Sequence, residues 1–109
     1  MPENAFEPKR YTLRYLPLFE EDLEQIVHYI GTVLENPDAA ERLLDAIEKA
    51  ILQRSTCAEE FEQYASRQER RYPYYRIYVE NYIVFYVVIG DVMEVRRILY
   101  SGRNIKEYI

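Results

Sequence analysis

Arg76, Arg96, Arg97, Arg103 and Lys106 are interleaved with Tyr74, Tyr78, Tyr100 and Tyr108 in the second half of the chain. Guanidinium and ammonium groups neutralise phosphate or carboxylate, and phenol rings stack on flat partners. A rim built from these residues would suit RNA or a carboxylate-bearing surface. The plainer reading makes them outward-facing strand residues paired with Glu80, Glu94 and Glu107, and both readings stand at this level. Arg67, Arg70 and Arg71 form a second basic cluster, read as solvated. Other chemistry has little material here. One histidine, His28, and one cysteine, Cys57, cannot supply a Ser/His/Asp set or a zinc site of thiolates and imidazoles. There is no glycine-rich phosphate loop. His28 lies one position off an apolar stripe and reads as a solvated helix residue, and Cys57 has no adjacent base. The run Glu20-Glu21-Asp22-Glu24 reads as a helix start that compensates the dipole, not as a carboxylate metal site. No metal and no cofactor are expected.

The elements that must position the basic residues are legible from periodicity. Tyr11 to Leu16 alternates as a half-buried strand, which Pro17 stops. From Leu18 the period becomes helical, with Phe19, Leu23, Ile26, Val27, Ile30 and Leu34 on one stripe, and this helix is expected to end near Glu35. Asn36-Pro37-Asp38 reads as a cap with proline in the first helical position. A second helix follows, carrying Ala40, Leu43, Leu44, Ile47 and Ile51. The pair forms an antiparallel hairpin that must dock on something else. Ser55 to Tyr72 has no sustained period and reads as a connection. Beyond Pro73, three strands, 74–79, 82–89 and 92–100, are joined by Glu80-Asn81 and Gly90-Asp91 into a meander. The middle strand is apolar on both faces and is expected at the centre of the sheet. The helix hairpin covers one face. Ser101 to Ile109 reads as a short polar tail adding little to the core, so the other face or its rim is expected to be a partner surface. The fold class is therefore α+β, in the order β-α-α-β-β-β, with a helix hairpin on a small antiparallel sheet.

Composition bounds the function. The chain has 109 residues, 49% of them hydrophobic and 30% charged, which suits a single domain over residues 1–109 and excludes a multidomain enzyme. No apolar run is long enough to span a membrane, and Met1 to Arg10 lacks the pattern of a secretion signal, so a cytoplasmic protein is expected. The net charge of −5 divides unevenly, with −8 over residues 1–65 and +3 over residues 66–109. An acidic chain is a poor long-range ligand for nucleic acid, and any such contact would have to be local. Twelve tyrosines and no tryptophan add to the stock of interfacial rings.

The run from Tyr74 to Val88, the segment Arg97-Ile98-Leu99-Tyr100-Ser101-Gly102-Arg103-Asn104, the helix Asp22 to Ile30 and the Asn36-Pro37-Asp38-Ala39-Ala40 cap resemble, in order and spacing, the RelE/ParE superfamily of bacterial toxins. The similarity spans nearly the whole chain. It implies a small toxin of a type II toxin-antitoxin module, of the growth-arrest and plasmid-stabilisation kind. Its sheet groove would be wrapped by a cognate antitoxin in a hetero-oligomer. Members resembling RelE cut mRNA on the ribosome without metal, using basic side chains; members resembling ParE block DNA gyrase and cut nothing. In the RelE-like pattern an arginine follows Tyr or His at the start of the strand beginning here at Tyr82, and this chain has Ile83 in that place. Arg76 matches one strand cation, its partner two residues on falls at Tyr78, and the arginine after the last strand falls at Asn104, with Arg103 beside it. The resemblance is thus closer to ParE, with gyrase as the implied target and the ribosome with mRNA as the alternative. A degenerate toxin that mainly binds antitoxin is a third reading. Were the chain a ribonuclease, Arg76, Arg103 and Tyr108 would carry catalysis. For target or antitoxin binding the implied residues are Arg76, Arg96, Arg97, Tyr100, Arg103 and Lys106.

Overall fold

Pro17 both ends the first strand and starts the first helix, because a ring that fixes φ and removes a donor is harmless in the first helical turn. The computed structural model describes residues 10–65 and 71–109, so Arg67 and Arg70 lie outside the described residues. Strand β1 (Thr12–Tyr15) runs into helix α1 (Pro17–His28), and α2 (Pro37–Arg54) follows. Asn36 caps α2 as expected, its Oδ1 accepting the Ala39 N–H at 3.2 Å. Between the helices the backbone widens into a π turn, Tyr29–Val33, in which the Leu34 N–H donates to the Tyr29 carbonyl at 2.9 Å. The expected single helix to Glu35 is therefore broken at His28. The wider turn carries Leu34 off the apolar stripe to 55% exposure.

The sheet has five strands in the order β1-β5-β4-β3-β2. They comprise β2 (Gln63–Tyr64), β3 (Tyr74–Val79), β4 (Tyr82–Ile89) and β5 (Val92–Tyr100), besides β1. The meander is as expected. Strand β2 is new, since two residues show no period. The sheet is also not wholly antiparallel: the helix hairpin returns the chain so that β1 lies parallel to β5, Thr12 opposite Val92 and Tyr15 opposite Val95.

Side chains alternate across this sheet. Ile77, Val79, Val84, Tyr86, Met93, Val95 and Ile98 meet Phe19, Leu43, Ile47 and Ile51 from the hairpin. Each fully buried aliphatic of this layer contributes about 1.5–3 kcal/mol. Tyr74, Ile83, Phe85, Val87 and Leu99 form the opposite face, and here the expectation of an uncovered surface fails. The segment after β5 folds back through a 3₁₀ turn (Ile105–Glu107) and lays Ile105 and Ile109 on that face, with Tyr64 and Tyr72 beside them. Ile109 is only 6% exposed. Charged neighbours disguise two isoleucines spaced to land on one apolar patch.

The connection from α2 to the sheet is held by Tyr86. Its hydroxyl donates to the Ala58 carbonyl at 2.7 Å and accepts from Arg54 Nη1 at 3.0 Å. Arg54 also donates to the Arg76 carbonyl at 2.9 Å, with its guanidinium carbon 3.4 Å from the centroid of the Phe61 ring. Burial raises the Tyr86 hydroxyl above the usual tyrosine range, and Arg54 partly offsets this.

Candidate functional site

The basic residues do not form one patch. In β5 a bulge sets Phe85 opposite Arg97 and Tyr86 opposite Val95, which leaves Arg96 as the extra residue. Arg96 Nε meets Glu94 Oε2 at 2.8 Å, and Arg14 Nη2 meets Glu94 Oε1 at 2.8 Å. Glu94 is buried at 6% exposure. Burial pushes its carboxyl up, but the hydrogen bonds and charges of Arg96 and Arg14 outweigh this and hold it below the usual carboxylate range. Arg97 turns to α1, donating from Nε to Asp22 Oδ2 at 2.8 Å and from Nη2 to Asp22 Oδ1 at 2.9 Å. Asp22 Oδ2 also accepts the Ile98 N–H at 3.2 Å, closing the edge of β5 beyond the end of β1. The Asp22 hydrogen bond is the main cause holding the Arg97 guanidinium above its usual range, ahead of the opposing effect of burial. Bidentate geometry makes this a strong, directional contact.

Arg76 sits on β3 with Tyr64 and Tyr78, its guanidinium carbon 5.0 Å and 5.8 Å from their ring centroids. The tail groups its own side chains: the Tyr108 ring lies 5.4 Å from the Arg97 guanidinium carbon and 4.9 Å from that of Arg103. Lys106 is exposed on the 3₁₀ turn. His28 is exposed, in keeping with a solvated helix residue, and Cys57 is partly buried. Among the described residues no group of three or more His, Cys, Asp or Glu side chains is placed to hold a metal ion, and no helix is long and apolar enough to cross a membrane.

Concavity appears elsewhere, at the junction of α1 with the ends of β4 and β5. A cleft of about 610 Å³ is lined by Asp22, Gln25, Ile26, Tyr29, Tyr82, Ile98, Tyr100 and Arg103. Tyr29 and Tyr100 are 52% and 50% exposed at its rim, and Tyr82 meets Tyr100 edge-on at 5.9 Å. Burial raises the Tyr82 hydroxyl, with Tyr100 and Glu80 adding to it. A second groove of about 470 Å³ shares Tyr29 and Tyr82 and extends past Leu34 to Arg42. Asp22 is neutralised by Arg97, so Arg103 is the lining cation without a carboxylate partner among the described residues. Apolar and aromatic walls with one available cation suit a protein segment bearing apolar anchors and a carboxylate. Of the residues anticipated from sequence, the cleft gathers Tyr100 and Arg103; Asp22, Gln25, Tyr29 and Tyr82 were not anticipated. Asp22 and its neighbours looked like ordinary members of an acidic helix start, and only the β5 register brings Asp22 to Arg97.

The family model for the ParE toxin of type II toxin-antitoxin systems, parDE, matches residues 13–105. Among solved structures, the fold is similar to a chain of the chromosomal ParDE TA system from P. aeruginosa. The TM-score is 0.68 at 18% identity, covering 86% of this chain and 99% of that one. It is also similar to a chain of the archaeal RelE-RelB complex from Pyrococcus horikoshii OT3, with a TM-score of 0.51 at 17% identity, covering 86% and 98%. At such identities the structural likeness is one of fold. No curated protein is matched at a significant level. The family match starts within β1 and ends on the first residue of the 3₁₀ turn, spanning both helices and the meander, and the chain belongs to the ParE toxins of type II toxin-antitoxin systems, within the RelE/ParE superfamily.

Proposed function

We propose that this toxin arrests growth by inhibiting DNA gyrase in the cytoplasm and is neutralised by a cognate antitoxin bound in a hetero-oligomer. The observation that carries the choice of target is Ile83. It occupies the place of the catalytic arginine in the ribonuclease branch and is buried at 7% exposure in the sheet's second face. An apolar side chain there gives no charge to a phosphate in the transition state, a loss of about two to three orders of magnitude in rate. Substitution by Arg96 or Arg97 is disfavoured, because Arg96 is tied to Glu94 and Arg97 to Asp22, which leaves Arg103 as the cation whose removal the assay below includes. A protein that works by binding needs no such group. The antitoxin's apolar residues fit the cleft between α1 and β5, with a carboxylate meeting Arg103.

Supercoiling and cleavage-complex assays with purified gyrase, run beside primer extension on a translated message, test this reading. Gyrase inhibition with uncut mRNA is expected. Codon-positioned cuts lost in Arg76→Ala or Arg103→Ala, with gyrase unaffected, would establish the ribonuclease instead.

A further inference from the structure

Asp22 and Arg103 lie on one cleft, and a chain of contacts joins them. The Asp22 carboxylate takes two N–H groups of Arg97 and the Ile98 amide, and side-chain exposures of 11% and 15% show that the ion pair is largely shielded from water. Arg97 in turn lies 5.4 Å from the Tyr108 ring, and that ring lies 4.9 Å from Arg103. Arg103 itself is exposed, and among the described residues it has no carboxylate to orient it. Its long side chain would otherwise sample many rotamers, and ordering them costs binding free energy.

We propose that Asp22 is a positioning residue for the toxic surface: from α1 it fixes Arg97, Arg97 fixes Tyr108, and Tyr108 presents Arg103 at the mouth of the cleft. The proposal rests on the reading above, in which gyrase is the target, and adds that Arg103, the cation an antitoxin carboxylate would cover, is also a contact with that target. Asp22 lines the cleft, but its carboxylate is taken up by Arg97 and the Ile98 amide, so it acts through Arg97. Its effect travels through a ring, so the charge at position 22 matters only while Tyr108 and Arg103 are present.

The test is a double-mutant cycle with Asp22→Asn and Arg103→Ala, read as the dose that half-inhibits gyrase supercoiling and paired with hydrogen exchange on residues 101–109. Asp22→Asn alone raises that dose about tenfold, the scale of one cationic anchor. In the Arg103→Ala background it adds less than about twofold. Tail amides exchange faster in Asp22→Asn, and Asp22→Glu restores part of the effect. Should Asp22→Asn fail to fold, Tyr108→Leu, at an exposed ring, takes its place in the same cycle. Losses that multiply in the double variant, or tail exchange equal to wild type in a folded Asp22→Asn protein, overturn the positioning role alone. A wild-type protein that leaves gyrase untouched overturns the target reading, and with it any role of Asp22 in presenting Arg103 to that target.

Discussion

Replacing Tyr86 by Phe removes one oxygen from the junction of α2, its following connection and the sheet. The ring is retained, with its 5.2 Å stack on Tyr75, so little packing changes. What is lost is the donor to the Ala58 carbonyl at 2.7 Å and an acceptor for Arg54 at 3.0 Å. Arg54 keeps the Arg76 carbonyl, which limits the cost on its side. A buried acceptor left without its donor costs about 1–3 kcal/mol, and the weakened arginine contact adds about 0.5 kcal/mol, so a loss of about 2 kcal/mol is expected. Unfolding entropy for a chain of this length is about 0.23 kcal/mol per kelvin, which places the melting midpoint about 9 °C lower. Differential scanning calorimetry of Tyr86→Phe beside wild type measures this. A midpoint within about 2 °C of wild type would show that Ala58 and Arg54 find other partners and that the hydroxyl does not hold the connection.

Ile109→Ala opens the covered second face, and at 6% exposure it lowers stability by about 2 kcal/mol in urea unfolding; a neutral result would return the tail to a merely polar role. Gly102→Ala places a methyl against the Tyr100 ring, which at 50% exposure can swing aside. Stability therefore changes by under about 1 kcal/mol, while the toxin-antitoxin complex, followed by surface plasmon resonance, dissociates several-fold faster as the cleft loses that wall. Tyr11 donates to Glu59 at 2.6 Å, and chiefly for that reason, with burial second, its hydroxyl is pushed up from 10.0 to about 12. The neutral form is favoured by folding, so its stabilisation is full below pH 10 and is lost as pH rises toward about 12. Tyr11→Phe should flatten the urea-midpoint profile across that interval, and an unchanged slope would remove Tyr11 as its cause.

Much of the architecture was legible because apolar spacing encodes it. The hairpin helices and the meander follow from periods of 3.6 and 2, and the cap at Asn36 from local chemistry. Three features were hidden for physical reasons. Strand β2 pairs only Gln63 with Tyr75 and Tyr64 with Tyr74, too few positions to show alternation. The π turn at Tyr29–Val33 is a change of backbone width that side-chain type does not announce. The tail's role depends on where Ile105 and Ile109 land once β5 is in place. The candidate site follows the same division. The Arg96 pairing with Glu94 lies two residues away on one strand, and the alternative of strand residues paired with carboxylates already contained it. The Arg97 pairing with Asp22 spans 75 residues and is visible only in three dimensions.

The parallel pairing of β1 with β5 carries a consequence for timing. Arg14 and Glu94, neighbours across that pairing, are 80 residues apart in sequence. A nascent chain can form the helix hairpin early from local contacts, but β1 has no partner strand until β5 has been synthesised. Asp22 has no Arg97 to hold before that point, and the cleft lacks the wall formed by Ile98 and Tyr100. Such non-local closure is slow compared with helix formation. The cleft and the Asp22–Arg97 pair are therefore late features of folding, complete only once β5 is in place, and a partner that docks in the cleft meets the finished chain.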